Sequence, residues 1–376
     1  MRLLNDYWFN VERYNPDIIQ SLRPLRCSEP ETFPFYTADN VKLLLTRYQG
    51  GSKGPVLLSH CIGVSSYMYS LTSIETNLLE YLYEREYDVW LLDHRLSILL
   101  EASTHQSSMD DVAINDYPAA VNKVCEISGS PTVQIVAHGV GASTLTMSLL
   151  SGLNNVRTAV CSQVSTHLDA LPINSFKAKL HLPQLLSAMG KTSMTCYSDI
   201  NASLATKLFD ASLIAHPVAK DEHCNSTVCH RVTALFGELY EHSQLNRETH
   251  RILGALFGRV NLTAMTQLTQ MLIKGSLVDK ALDDVYLPNA KVLKLPMTFI
   301  SGGNNVCVLP TSTQKTIEFL NDVNGAEYYR RFEIAGYGHV DCIIGKNAAK
   351  EIYPFILEGL APGAAREQSE LKQKIS

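Results

Sequence analysis

The chain lacks the features that mark several broad classes of protein. No apolar run approaches the roughly 18 residues of a membrane span, and the first residues lack the apolar stretch of about 7 to 15 residues that marks a secretory signal. Positive charge is not in excess, since 32 Lys and Arg against 37 Asp and Glu give a net charge of −5. These absences predict a soluble, cytoplasmic protein that binds no nucleic acid and has no stable membrane span.

Cysteine is present, but not in a pattern that indicates a disulfide framework. Nine cysteines are scattered along the chain, which fits reduced, mostly buried thiols. The segment that contains Cys224, Cys229 and His230 is compatible with a zinc site, a disulfide or simple packing. Because no second short Cys or His pair accompanies it, packing is favoured and no metal is predicted. The glycine pair at 302 and 303 is too short to cradle phosphate, so no cofactor is predicted.

The order of apolar and polar segments predicts an α/β protein large enough to bury a sizeable core. Residues 1–32 read as an N-terminal arm. Strands and helices alternate over residues 33–164 and again over 291–361, which is typical of a mostly parallel sheet with helices on both faces. Helical patterns replace strands over residues 165–290, predicting an inserted helical cap. Residues 362–376 are expected to form a flexible tail.

The sheet is predicted to have eight strands, the first two joined as a hairpin. The predicted strands are 33–37, 41–48, 56–59, 88–92, 133–136, 158–164, 297–300 and 328–333. The predicted helices are 69–84, 110–127, 142–152, 311–320 and 348–357.

The strand Val133–Val136 is followed by the pattern of a sharp strand-to-helix turn. The five residues Ala137–Gly141 have small residues at both ends. In a G-x-S-x-G turn, the outer small residues let the strand bend into a helix, while the central residue presents a nucleophilic side chain. Here the central residue is Gly139, so the turn can form without its nucleophile.

Three further segments fall in a fixed order around this turn. His60-Cys61-Ile62 follows one strand, Asn305 follows a later one, and His339 follows the last. The ordered set resembles the α/β-hydrolase fold superfamily, in which nucleophile, acid and histidine come in this order. The resemblance implies that His339 is catalytic, that Asn305 is its partner and that Gly139 fills the nucleophile position. It further implies that the oxyanion hole and elbow, which bind substrate, are formed by His60, Ile62, His138 and Val140.

A closer likeness is to the α/β-hydrolase domains associated with cholesterol-oxidase-like flavoproteins. The likeness lies in the stretches Asp110–Ala113, Asp116–Val121, His181–Pro183, Leu239–His242 and Gly338–Cys342. In such relatives the elbow carries Cys, and the partner of the histidine is Asn, as at Asn305 here. The resemblance implies association with a flavin oxidoreductase and leaves a homodimer open, while the large predicted cap suggests a lipophilic acyl or steroid-like substrate.

Cys61 stands where the superfamily has Gly, so the chain has a thiol on one wall of the site and none at the elbow. One interpretation is that Cys61 substitutes as nucleophile or as an acid/base partner of His339, and the other is an unreactive buried thiol. The leading functional hypothesis is an enzyme that resembles esterases and thioesterases. The alternatives are a catalytically silent protein that binds a ligand or partner, a lyase or isomerase that uses His339 without a covalent intermediate, and an engineered variant inactivated at Gly139.

Overall fold

The computed structural model describes residues 23–171, 184, 187, 190–198, 201–213 and 222–361. The predictions for the first 22 residues of the arm, for the stretch His181–Pro183 and for the tail lie outside the described residues. Within the described part of the chain, no helix is both long and apolar enough to cross a membrane.

Eight strands form one sheet in the order β1-β2-β4-β3-β5-β6-β9-β10. The first two form the predicted antiparallel hairpin, β2 is also antiparallel to β4, and every later pair is parallel. The predicted eight-stranded, mostly parallel sheet is confirmed. Its strands are β1 Glu31–Tyr36, β2 Lys42–Tyr48, β3 Pro55–Ser59, β4 Asp88–Asp93, β5 Val133–His138, β6 Val156–Ser162, β9 Met297–Gly302 and β10 Tyr329–Ile334.

Helices cover the sheet, and the central strands β3, β4, β5 and β9 are buried along their whole length. Such continuous burial is expected where helices pack on both faces of a parallel sheet. The helices are α1 Leu78–Tyr83, α2 Tyr117–Ser128, α3 Val140–Leu150, α4 Leu204–Leu213, α5 Thr227–Phe236, α6 Arg247–Arg251, α7 Leu253–Leu256, α8 Leu262–Lys274, α9 Thr311–Asn324, α10 Asp341–Ile344, α11 Ala348–Glu351 and α12 Tyr353–Leu360. A short helical turn, Met109–Asp111, and a π-helical turn, Val112–Asp116, lead into α2.

Two predicted helices differ from the structure. The helix expected over 69–84 begins only at Leu78, where Asn77 and Glu80 form a reciprocal capping box. The intervening Ser, Thr and Asn residues favour caps and turns over helix interior. The helix expected over 348–357 is divided into α11 and α12, with Pro354 in the first turn of the latter, where a missing N–H has no cost.

The region predicted to be purely helical contains a small antiparallel pair. Its strands are β7 Ser193–Thr195 and β8 Arg259–Asn261. Three residues are too few for a period of two to be recognised in the sequence. The expectation that strands are absent between 165 and 290 is therefore wrong.

The sheet register determines which loops meet. Ser59 at the end of β3 is directly opposite Ala137 near the end of β5. Because the carboxyl ends of parallel strands share one edge of the sheet, the loop after β3 lies against the turn after β5. This edge brings together Cys61, Gly139 and, from the loop after β10, His339.

Candidate active site

The turn after β5 has the sharp geometry that its sequence predicts. Gly139 has φ +56° and ψ −124°, a backbone conformation that residues other than glycine rarely adopt. Helix α3 begins at the next residue. Gly141 packs so closely on the β3 loop that an added Cβ would lie 2.5 Å from the His60 carbonyl oxygen. Position 141 must therefore be glycine because any side chain there would collide with the backbone of the β3 loop.

The space of the missing nucleophile contains the Cys61 sulfur. A Cβ built on Gly139 would lie 2.6 Å from Cys61 Sγ and 2.9 Å from His339 Nε2. The Val140 N–H donates to the sulfur at 3.4 Å, and the Ile62 N–H bonds it as well. Ile62 and Val140 are two of the four residues expected to form the oxyanion hole and elbow. Burial raises the pKa of the Cys61 thiol more than the two N–H groups lower it, so the thiol is protonated at neutral pH.

Asn305 reaches His339, with Asn305 Nδ2 3.0 Å from His339 Nδ1. The amide oxygen of Asn305 accepts from the N–H groups of Cys307 at 3.0 Å and Val308 at 3.2 Å. Asn305 Nδ2 also donates to Gln163 Oε1 at 3.0 Å. Because the oxygen is engaged by backbone donors, the NH₂ group faces the imidazole. His339 Nδ1 must then accept, which places the proton of the neutral ring on Nε2.

The His339 loop is fixed by backbone contacts with the region between β6 and β9, which the sequence predicts to be a cap and which is called the cap below. The Leu239 carbonyl accepts from the N–H groups of His339 and Val340 at 3.0 and 2.8 Å. Asp341 accepts from the N–H groups of Gly338 and Glu241 and so holds the loop together. Burial lowers the pKa of His339 to about 4. The ring is therefore neutral over the physiological range.

His60 and His138, predicted among the substrate-binding residues, lie behind the site wall. His60 Nδ1 is 2.6 Å from the Cys61 carbonyl oxygen, and its ring stacks on His94 at a centroid distance of 3.8 Å. His138 meets His339 edge-on, with centroids 4.9 Å apart. Both rings are fully buried, and neither lines the cavity described below. Their positions indicate packing beneath the site, whereas Ile62 and Val140 do line it.

A cavity of about 250 Å³ opens beside Cys61, Gly139 and His339. The cap contributes one side of it from α5, α8 and the segments between them. No charged side chain is found among the described residues that line it, and most lining groups are apolar. The lining residues other than the site residues already named include Val64, Met68, Val164, Leu168, Met194, Leu235, Phe236, Leu239, Phe257, Met265, Leu268, Leu272, Cys307 and Val308. Sequence patterns alone do not reveal this cap side, because its residues come from separate short elements.

No family model and no curated protein sequence matches this chain. Among solved structures, it is similar to a hydrolase from Pseudomonas aeruginosa PA01, with 11% identity, coverage of 88% of this chain and 98% of that chain, and a TM-score of 0.55. One of the carboxylesterases of Nitrososphaera gargenis gives 12% identity, coverage of 89% and 100%, and a TM-score of 0.54. The Paleococcus ferrophilus monoacylglycerol lipase has 14% identity, with coverage of 80% of this chain and 91% of that chain and a TM-score of 0.50. Likeness at such identities establishes the fold and not the chemistry. This chain has the α/β-hydrolase fold, as its sequence predicted.

Proposed function

We propose that this chain hydrolyses a lipophilic ester or thioester and that the Cys61 thiol acts in place of the missing elbow nucleophile. The observation that carries the proposal is the position of the sulfur. It lies 2.6 Å from the point where an elbow side chain would begin, and His339 Nε2 lies 2.9 Å from the same point. Covalent acyl transfer requires a nucleophile, here a thiol, and a base that both lie beside the position of the reacting acyl carbon.

The proposed reaction has two steps. Cys61 Sγ attacks the acyl carbon and gives its proton to His339 Nε2, which passes that proton to the departing alcohol or thiol as the acyl bond breaks. Water then attacks the acyl-thioester, again through His339, and the thiol is regenerated. The N–H groups of Val140 and Ile62 contact the sulfur at rest and would stabilise the oxyanion when the substrate carbonyl takes that place.

The cavity supports a lipophilic substrate. It is lined mostly by apolar side chains from both core and cap, and the described lining has no charged group to bind a carboxylate or phosphate. Each methylene buried there would contribute about 0.8 kcal/mol to binding. An acyl chain or a rigid apolar ring system would therefore bind more tightly than a small polar acid.

Asn305 limits the rate that this site can reach. Attack by Cys61 requires His339 Nε2 to be free of its proton, but the Asn305 NH₂ group favours the tautomer with the proton on Nε2. The same change from carboxylate to amide in a serine-protease triad lowers kcat by about 10⁴-fold. We therefore expect slow turnover. A lyase or isomerase that uses His339 as base would need the same disfavoured tautomer.

The second candidate function is a catalytically silent protein that binds a lipophilic ligand in the cavity. Two observations favour it: the tautomer of His339 set by Asn305, and the filling of the oxyanion hole by the Cys61 sulfur. The flavin oxidoreductase partner and the homodimer implied by the resemblance remain predictions.

The test is to incubate the chain with p-nitrophenyl esters of increasing acyl length and with an acyl thioester, while following product release and intact mass. We expect an acyl adduct on the peptide that contains Cys61, absent in Cys61→Ala and slower to form in His339→Ala. Cys125→Ala, which removes a thiol of α2 outside the cavity, serves as control. Saturable ligand binding without adduct or hydrolysis would overturn the enzyme proposal and support the silent protein. Hydrolysis that needs His339 but not Cys61 would overturn the role of the thiol.

A further inference from the structure

Four sulfur and nitrogen side chains gather in the cap, apart from the cavity. Cys224 precedes α5, Cys229 lies in its first turns, His242 lies in the loop that follows, and His250 lies in α6. One potential ligand atom from each lies within 4.8 Å of the other three. We propose that Cys224, Cys229, His242 and His250 bind a zinc ion in a tetrahedral structural site.

The donor set and its dimensions fit zinc. With Zn–S near 2.3 Å and Zn–N near 2.0 to 2.1 Å, neighbouring ligand atoms of a tetrahedral site are about 3.3 to 3.8 Å apart. Cys229 Sγ is 3.3 Å from His250 Nε2, so this pair already has the required separation. Both cysteines are free thiols, not a disulfide. Two sulfur and two imidazole donors without a carboxylate disfavour magnesium and calcium.

The surrounding residues orient the ligands as they do at known metal sites. His242 Nδ1 bonds the Glu222 carboxylate, which directs His242 Nε2 toward the cluster. That second nitrogen is buried and has no hydrogen-bond partner among the residues that the structure describes. The Tyr240 hydroxyl donates to Cys229 Sγ at 3.0 Å. A buried imidazole nitrogen held in place by a carboxylate on its other side is the arrangement of a ligand.

The proposed ion would join two cap segments that contact the active site. Leu235 and Phe236 of α5 line the cavity, as does Leu239 in the following loop. The Leu239 carbonyl holds the N–H groups of His339 and Val340. Cross-linking α5 to His242 and His250 would therefore fix the loop on which His339 rests. The metal would act by position and not as a reagent.

The sequence analysis favoured packing over a metal here because the two histidines of the proposed site are far from the two cysteines in the chain. His250 stands 21 residues after Cys229. His230, the expected companion of the two cysteines, is instead 2.8 Å from the Cys224 carbonyl oxygen through Nε2. It supports the loop that carries Cys224 and is not in the donor set.

The test begins with the unmodified full chain, purified without chelator and without added metal. Elemental analysis should find about one zinc per chain. Replacement by cobalt(II) should give the visible absorption of a tetrahedral thiolate complex, and chelation should lower Tm by roughly 10 °C. Cys229→Ser and His250→Gln should each lose the stoichiometric zinc and the cobalt spectrum.

Two variants serve as matched controls. His223→Ala removes an exposed imidazole adjacent to Cys224, and Cys125→Ser removes a thiol of α2 that is not among the four ligands; both should retain one zinc. Substoichiometric metal in the unmodified chain together with no cobalt spectrum would overturn the proposal, whether or not any variant folds. A Cys224–Cys229 disulfide found by peptide mapping of the purified chain would overturn it too, as would equal loss of zinc in His223→Ala.

Discussion

The Cys61 sulfur lies 2.6 Å from the point where a Cβ on Gly139 would stand. A side chain at 139 and a thiol at 61 therefore compete for one volume. The two residues follow adjacent parallel strands, β3 and β5, which fix their backbones relative to each other. The missing side chain at the elbow and the thiol in the loop after β3 are thus one structural feature, which keeps a sulfur beside His339 while the elbow stays empty.

Gly139→Cys alone is expected to destabilise the chain by about 1 to 3 kcal/mol, because its Cβ overlaps the Cys61 sulfur. Combining it with Cys61→Gly should recover the part of that loss that comes from the overlap with the sulfur, but not the part that comes from the positive φ at 139 or from the contact with His339 Nε2, and it would place a thiol at the elbow. Chemical denaturation of the wild type, both single variants and the double variant gives the coupling free energy. Additive effects of the two substitutions would contradict the shared volume.

Asn305→Asp should raise the rate of ester hydrolysis by up to about 10⁴-fold. One carboxylate oxygen can keep the N–H groups of Cys307 and Val308, while the other accepts from His339 Nδ1 and frees Nε2. The added charge also raises the pKa of His339 from about 4, so the acid limb of the pH–rate profile should move to higher pH.

Asn122→Asp makes the same charge change at an exposed position on α2 and should leave rate and profile unchanged. An Asn305→Asp variant that folds normally but gains no activity, in the presence of Cys61, would mean that the tautomer of His339 does not limit the reaction. It would then favour the silent ligand-binding protein.

The chain order of elbow, partner and histidine was sufficient to predict the fold and to bring Gly139, Asn305 and His339 into one site. Sequence could not predict which end of the Asn305 amide faces the ring, because that depends on two backbone N–H groups in an irregular loop. The sequence also predicted that His60 and His138 bind substrate. The position of a residue in a motif does not reveal whether its side chain faces the cavity or packs behind the cavity lining. The meeting of His242 and His250 with the two cysteines depends on cap packing, which has no local sequence signal.

Acid should destabilise the fold partly through His60. Burial lowers the pKa of His60 to about 4 from the ordinary 6.5, so the unfolded chain binds a proton in this window that the folded chain does not. Stability from this group is complete above pH 6.5 and is lost as the pH falls toward 4, by up to about 3 kcal/mol. Asp341, whose pKa burial raises to about 7, opposes this trend.

A comparison with His60→Asn isolates the imidazole, since the Asn amide can still donate to the Cys61 carbonyl. The difference in unfolding free energy between wild type and variant should shrink as the pH falls from 7 to 4, while the Asp341 contribution is the same in both proteins. A difference that stays constant with pH would show that His60 is not buried as a neutral ring.

Leu268→Trp should shift the acyl-chain preference toward shorter substrates. Leu268 lies on α8 and lines the cavity from the cap side, so a larger ring there removes space that a long chain would fill. Each methylene excluded costs about 0.8 kcal/mol, or roughly a fourfold loss of kcat/KM, while esters too short to reach α8 should be unaffected. Leu268→Met conserves volume and should keep the wild-type preference. The acyl chain does not bind in this cavity if Leu268→Trp lowers the activity on long-chain and short-chain esters by the same factor. The same conclusion follows if the substitution lowers the affinity for long and short ligands by the same factor.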